Sequence, residues 1–268
     1  MSMKDLRVVV KGAGEMATGI AHCLFMAGIT RIVMTEIAHP LAVRRGVAFC
    51  EAVHEGFVEV EGVRAELIQN AGALEALWQR RCVGVMIDPE WKIVAELKPD
   101  VVVDAIMAKR KNTGTRVTEA PLVIGVGPGF IAPDDVHVVI ESNRGHDLAR
   151  PIYEGQAEPF TGKPGTTEGF TDERVLRAPL AGRVRHVRAI GEAVSKGDVV
   201  LYVGGEPVRA EIGGILRGLI REIDVAQHEK VGDIDPRAAS RNCYTISDKA
   251  RAIAGGVLEA VMHRYNRT

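Results

Sequence analysis

Apolar and polar positions follow two different rhythms along the first half of the chain. Residues 7–10 form a short apolar, β-branched run that reads as a buried strand. Over 15–27 the rhythm changes: Met16, Ala17, Ile20, Ala21 and Leu24 recur at helical spacing, and Gly28 offers a stop. Residues 32–35 read as a second strand and 41–54 as a helix. Between 57 and 68 the period falls to two on either side of Gly62, as in a hairpin inserted into the pattern. A helix over 71–81 and a strand over 82–87 follow, and Pro89 suits the opening of a short helix that ends near Lys98. Runs at 101–107, 122–126 and 136–142 read as three more strands. This alternation predicts an α/β fold, a Rossmann-like and mostly parallel sheet with helices on its faces, over residues 1–153.

The pattern breaks at 154–173, a stretch rich in Gly, Pro, Thr and Glu that reads as a linker or crossing segment. Residues 174–236 then repeat themselves. "APLAGRV" at 178–184 is answered by "AEIGGIL" at 210–216, and "IGEAVSKGDVV" at 190–200 by "DVAQHEKVGDI" at 224–234. Two similar β-halves packed face to face are expected, a smaller all-β domain that resembles the barrel-sandwich of biotinyl and lipoyl carriers. In those carriers a lysine stands on the hairpin between the halves. Here the hairpin reads Gly204-Gly205-Glu206-Pro207-Val208-Arg209, which argues against covalent biotin or lipoate and for a structural or docking module.

Residues 237–268 close with a helical segment. Ser247 can cap it, and Ile246, Ala250, Ile253, Ala254, Val257, Leu258 and Val261 form its apolar stripe. Gly255 and Gly256 fall mid-helix, where each costs roughly 1 kcal/mol relative to alanine. That cost implies a close backbone contact, so the helix is expected to pack back on a domain.

Charge and composition narrow the function. With 34 Lys and Arg against 35 Asp and Glu, the net charge is −1, which argues against bulk attraction to nucleic acid or a membrane surface. An anion must be met by a local pocket. Aromatic residues make up only 4% of the chain, a poor basis for a base-stacking surface. Cys23, Cys50, Cys82 and Cys243 have neither metal-ligand nor redox spacing and read as reduced thiols. No apolar run approaches a membrane helix, and the run at 8–10 is far too short for a signal peptide. A cytoplasmic protein is expected, and a homo-oligomer as its assembly. Asp233 and Asp235 in "GDIDPR" read either as cation ligands or as turn residues capping their own backbone.

Candidate chemistry begins at Gly12-Ala13-Gly14-Glu15-Met16-Ala17, which matches G-x-G-x-x-[GA] after a strand and before a helix. Gly12 permits a sharp turn, Gly14 lets a diphosphate approach the backbone, and Ala17 lets the helix lie close to the sheet. The helix N-terminus offers free N–H groups to an anion. Glu36 closes the second strand about 20 residues on, where a ribose-binding acid stands in NAD sites. The stretch reads as a cradle for a phosphate-bearing ligand: NAD(P), another nucleotide, or a pterin cofactor. Hydride transfer with NAD is a second reading, and packing glycines a third.

Three polar loops should share an edge with this turn if their strands are parallel. Lys11, Lys109, Arg110, Lys111 and Arg144 would supply charge, and Asn112, Thr113, Thr115 and Asn143 neutral hydrogen bonds. Gly127 and Gly129 lie in the loop after the strand at 122–126. His146 follows Arg144 and is a candidate acid–base group, or a loop histidine bonded to backbone. No histidine, cysteine or carboxylate cluster has zinc spacing.

Seven uncommon strings occur in order over nearly the whole chain: "GAGEMATGIAH", "MTEIAHPLAVRR", "DAIMAKRKNTGT", "GVGPGF", "ESNRGHDLARPIYEG", "GDIDPR" and "ISDKARAIAGGVLEA". In these the sequence resembles the YqeB family of the selenium-dependent molybdenum hydroxylase system. The resemblance implies an accessory role in making or activating such a hydroxylase, an enzyme class that acts on purines and related heterocycles. The hydroxylase is then the expected protein partner. No catalytic residue is carried over. The motif positions Gly12, Gly14, Glu36, Lys109, Arg110, Asn112, Thr113, Gly127, Gly129, Asn143, Arg144 and His146 are the candidates it marks.

Overall fold

A computed structural model describes residues 2–108, 112–163 and 165–266. Nine strands form one mixed sheet: β1 (Arg7–Lys11), β2 (Arg31–Glu36), β3 (Phe57–Val60), β4 (Val63–Ile68), β5 (Val83–Ile87), β6 (Val101–Asp104), β7 (Leu122–Val126), β8 (Val138–Ile140) and β9 (Pro151–Ile152). Their order is β3-β4-β5-β2-β1-β6-β7-β8-β9. The seven strands from β4 to β8 are parallel, and antiparallel β3 and β9 close the two edges. The inner strands are buried along nearly their whole length, which is why β1 and β6 read as continuous valine runs rather than alternating ones.

The helices are α1 (Glu15–Met26), α2 (Ala52–Glu55), α3 (Leu74–Gln79), α4 (Lys92–Leu97) and α5 (Asp248–Tyr265). The β1–α1–β2 and β4–α3–β5 crossovers run in opposite directions along the sheet. Right-handed connection therefore puts α1 and α3 on opposite faces. On the α3 face, Leu74, Leu77, Trp78 and Ile93 bury Val9, Val33, Val102 and Val123. On the other, α5 lies along α1. Gly19 lets the two helices touch, because a Cβ there would fall 2.9 Å from that of Ala250. A Cβ at Gly256 would collide with the Ala149 carbonyl oxygen, whereas one at Gly255 would meet nothing within 4 Å. The inserted hairpin forms as β3–β4, and Glu61 and Gly62 both take positive φ in its turn.

Two expectations give way. Residues 41–54 do not form one helix but 3-10 turns at Arg45–Val47 and Phe49–Glu51 followed by the single turn of α2. The reason is tertiary: Arg44 donates to the Asn242 and Thr245 carbonyls and Arg45 to that of Leu219. Helix α4 starts at Lys92 rather than at Pro89, after Trp91 in a left-handed conformation.

The chain divides into two compact units. The nine-stranded sheet, Ala48–Phe160 and the stretches up to Pro40 and from Ile246 make the first; Leu41–Val47 and Thr161–Thr245 make the second. The second unit holds β10 (Val175–Arg177), β11 (Gly182–His186), β12 (Ala193–Val194), β13 (Val199–Val203), β14 (Glu206–Arg209), β15 (Gly214–Leu219), β16 (Asp224–Val225) and β17 (Lys230–Asp235). They build two four-stranded antiparallel sheets, β10-β17-β15-β12 and β14-β13-β11-β16, around a Val, Leu and Ile core.

One charged cluster is buried there. Arg217 grips Asp233 at 3.0 and 2.6 Å, with Arg174 at 3.2 Å and Lys230 at 3.4 Å. Burial would raise the Asp233 carboxyl, but Lys230, Arg217 and Arg44 outweigh it and hold it far below the usual range. Asp235 caps the Arg237 N–H and pairs with its guanidinium. Those bonds overcome burial and bring its pKa to about 2. Both aspartates therefore pair with cationic side chains of the fold, and Asp235 also caps the turn.

Candidate functional site

Strand β1 delivers the glycine turn to the carboxyl edge of the parallel strands, beside the exit of β6. This is the point where the chain's path along the sheet reverses, the usual place for a ligand in such sheets. Gly12 has φ +87° and donates its N–H to the Thr35 carbonyl at 2.9 Å. A Cβ there would press on the Ala105–Ile106 backbone at 3.3 Å, so both conformation and packing demand glycine. Ala13 is fully buried, and its carbonyl accepts from the Cys50 N–H at 2.8 Å and the Thr18 hydroxyl at 3.2 Å. The Thr18 oxygen in turn accepts from the Phe49 N–H at 2.8 Å, so the turn is pinned from outside.

Gly14 is different. Its φ of −70° suits any residue, and a Cβ there meets nothing within 4 Å. Nothing in the described fold requires glycine at this position. Gly14 is also the N-cap of α1 and supplies no side-chain hydrogen bond to the first turn, which carries Glu15 and Met16. Open space therefore faces an uncapped helix start.

Glu36 stands next to the turn. One carboxylate oxygen accepts from the Ile37 N–H at 2.9 Å, and the other from the Ala13 N–H at a long 3.4 Å. Burial pushes this carboxyl up, against the pull of those two N–H groups.

The charge of Lys11, expected to meet an anion, is engaged within the protein. Lys11 is wholly buried, in register with Thr35 on one side and Asp104 on the other. Its ammonium donates to Thr115 Oγ1 at 2.7 Å, lies 2.7 Å from Glu119 Oε2, and sits 3.9 Å from the Trp91 ring centroid. The Thr115 hydroxyl in turn donates to Asp104 Oδ2 at 2.7 Å, and Asp104 Oδ1 accepts from the Ile106 N–H. Burial lowers the Lys11 pKa against the pull of Glu119 and Asp104. Burial raises Asp104 against its hydrogen bonds. Both directions express one fact: the ammonium of Lys11 and the carboxyl of Asp104 are placed where water does not reach. Beside it, the buried Thr35 hydroxyl has no hydrogen-bond partner among the described residues.

Asn112 serves this cluster. Its Oδ1 accepts from the Gly114 and Thr115 N–H groups, each at 2.8 Å, and its Nδ2 donates to the Thr115 carbonyl at 2.7 Å. Thr113 is exposed. Lys109, Arg110 and Lys111 lie outside the described residues.

The loop after β8 forms a third network. Arg144 makes a bidentate pair with Asp248 at 2.8 and 3.0 Å. Asn143 donates its N–H to Glu141 and its amide to Glu158. His146 is exposed. Gly127 has φ +80°, and a Cβ there would fall 2.5 Å from Ser142 Oγ; Gly129 has φ +112°. The conformation of each accounts for its glycine.

Thus Gly12, Ala13, Gly14, Glu15, Met16 and Glu36 share one turn, Lys11 and Asn112 belong to the buried cluster, and Asn143 and Arg144 are tied into their own network. Sequence reading missed Asp104, Glu119 and Trp91. The available signal was Asp104, an acid closing an otherwise all-valine strand. Among the described residues, no group of three or more His, Cys, Asp or Glu is placed to hold a metal, and no helix is long and apolar enough to cross a membrane.

No family model matches the chain. Over 256 residues it is 46% identical to the uncharacterized protein YqeB of Escherichia coli strain K12, covering 95% of this chain and 47% of that protein. The chain thus spans about half the length of the curated relative it matches. The chain therefore belongs to the YqeB family. Among solved structures, TcdA (CsdL) is 13% identical with a TM-score of 0.29, over 96% of this chain and 89% of that one. An aspartoacylase family protein from Mesorhizobium loti is 19% identical with a TM-score of 0.23, over 31% of this chain and 32% of that one. Scores this low carry neither fold nor activity across.

Proposed function

Starting from kinship with the YqeB family, we propose that this chain binds a phosphate-bearing small molecule at the glycine turn. In that reading it serves as an accessory factor in maturing a selenium-dependent molybdenum hydroxylase. The ligand is a nucleotide or a molybdopterin-type cofactor. One observation carries the reading: Gly14, a glycine that neither its φ nor its packing explains, facing open space at an uncapped helix start. A phosphate there meets free N–H groups and the positive end of the α1 dipole. The first unit then acts as a Rossmann-like binding domain and the second as a barrel-sandwich docking module without a carrier lysine.

Thermal shift against NAD, NADP, ATP, CTP and a molybdopterin dinucleotide tests this. A ligand at 100 times its Kd stabilises the folded state by about 2.7 kcal/mol, a shift of several degrees. One of the five is expected to give such a shift, and silence from all five contradicts the reading.

The second reading, an NAD-dependent oxidoreductase, is favoured by Glu36, whose carboxylate closes β2 and reaches the Ala13 N–H inside the turn. It requires NAD to bind and absorbance at the nicotinamide band to change with a substrate. Binding without turnover of any candidate substrate leaves only the first reading.

A further inference from the structure

A cleft of about 920 Å3, lined by none of the glycine-turn residues, lies against α4, within the size range of small-molecule sites. Residues from α4 and from the segment 114–121 line it, among them Trp91, Lys98, Arg116 and Glu119. Among its described residues, the crossover from β6 to β7 forms a 3-10 turn (Val117–Glu119), and the segment around that turn lines the cleft.

Three features of the lining point to a ligand. The first is Trp91. The Lys11 ammonium sits over one face of its ring, and Trp91 also lines the cleft, so an aromatic side chain is available to a ligand there. The second is its backbone. Trp91 takes φ +57° and ψ +36°, a left-handed conformation that bulky residues rarely adopt. Strain of this kind persists where the surrounding structure holds a side chain in one place. The third is charge. The acids of the lining are engaged: Glu119 by Lys11, Glu90 by Lys92, and Asp100 by the Arg7 N–H. Among the described residues, the Lys98 and Arg116 side chains have no ion-pair partner. The cleft therefore presents an aromatic surface and two uncompensated cations.

We propose that this cleft is a second ligand site, for a planar aromatic ring carrying an acidic group. The ring stacks on Trp91, and the acid, a carboxylate or a phosphate, is held by Arg116 and Lys98. A guanidinium and an ammonium each suit either acid. The site shares no lining residue with the glycine turn, and it holds its acid by side-chain cations rather than by backbone N–H groups.

Tryptophan fluorescence tests it. The chain has two tryptophans, and Trp78 is buried with its indole N–H on the Ile32 carbonyl, so a ligand in the cleft changes the Trp91 signal alone. The full chain is titrated with AMP and adenosine as the phosphate pair, and with nicotinate and nicotinamide as the carboxylate pair. At least one acid is expected to quench saturably, and its uncharged counterpart to bind about tenfold more weakly, as befits loss of a charge-assisted contact. Quenching should vanish in Trp91→Phe and weaken by about tenfold in the Lys98→Gln, Arg116→Gln double variant, whose substitutions are both exposed. The acid that binds identifies the source, phosphate or carboxylate. Three results overturn the proposal: no quenching by either acid, quenching that survives loss of both cations, or quenching abolished by Gly14→Val. The last would assign the acid to the glycine turn instead.

Discussion

Replacing Lys11 by methionine keeps the length of the side chain and removes its charge. The substitution deletes the 2.7 Å pair with Glu119, the 2.7 Å bond to Thr115 and the cation over Trp91. It leaves Asp104, 1% exposed, and Glu119, whose side chain is 17% exposed, without a cation in the cluster. Breaking a buried pair by removing one partner costs roughly 3–5 kcal/mol, and the partial exposure of Glu119 puts the expected loss near the lower end, about 3 kcal/mol at neutral pH. The loss must depend on pH. Without the ammonium, each carboxylate raises the other, so their pKa values in the folded variant lie above those in the unfolded chain. Groups raised in this way contribute stability below the unfolded value, about pH 4, and lose it as pH climbs through the folded value. The deficit should therefore shrink towards about pH 4 and be full at about pH 8. Urea unfolding followed by tryptophan fluorescence is the assay, because Trp78 and Trp91 both lie in the first unit and report on it alone. A second substitution, Glu119→Gln, should recover part of the loss. A deficit under about 1 kcal/mol, or one equal at both pH values, would refute the reasoning.

The remaining predictions are simpler. Gly255→Ala should stabilise the first unit by roughly 0.5–1 kcal/mol, because its Cβ meets nothing, while Gly256→Ala should destabilise it by roughly 1–3 kcal/mol through the Ala149 carbonyl. Equal effects from the two would contradict the α5 packing. Thr35→Val should raise the same unfolding free energy by about 1 kcal/mol, since it removes a buried hydroxyl without a partner. In the second unit, Asp233→Asn should cost about 3 kcal/mol by removing the buried carboxylate that Arg174, Arg217 and Lys230 share. The aspartates there are held below their unfolded value, so their stabilisation is present above about pH 4 and is lost as pH falls towards 2. Calorimetry should show the wild-type transition of this unit dropping across that window, and the variant already low at neutral pH.

The parts of the fold that are local in sequence were legible. The strand–turn–helix at residues 7–27, the Gly62 hairpin and the alternation of strands with helices all depend on nearest neighbours and periodicity. Residues 41–54 were misread because the bonds that hold them come from Asn242, Thr245 and Leu219, nearly 200 positions away in the first case. The turn that accompanies Gly12 was legible from spacing alone. The role of Lys11 was not: its partners Asp104 and Glu119 are brought to it by strand register and by the loop that Asn112 organises, and neither follows from spacing. Arg144 likewise looked free for an anion, and its partner Asp248 stands 104 positions on.

Ligand binding at the turn rests on Gly14. Gly14→Val should stay folded and lose only about 1 kcal/mol, the cost of a poorer N-cap, because its φ is ordinary and its Cβ has open space. The same substitution puts a branched side chain where a phosphate would approach the start of α1. Isothermal titration of both proteins with whichever nucleotide or molybdopterin compound stabilises the wild type is the direct measurement. Expected is an intact fold, about 1 kcal/mol less stable, with affinity lower by at least about tenfold, or roughly 1.4 kcal/mol. Equal affinity in the two proteins, with the fold intact, would place the ligand elsewhere and contradict binding at the turn.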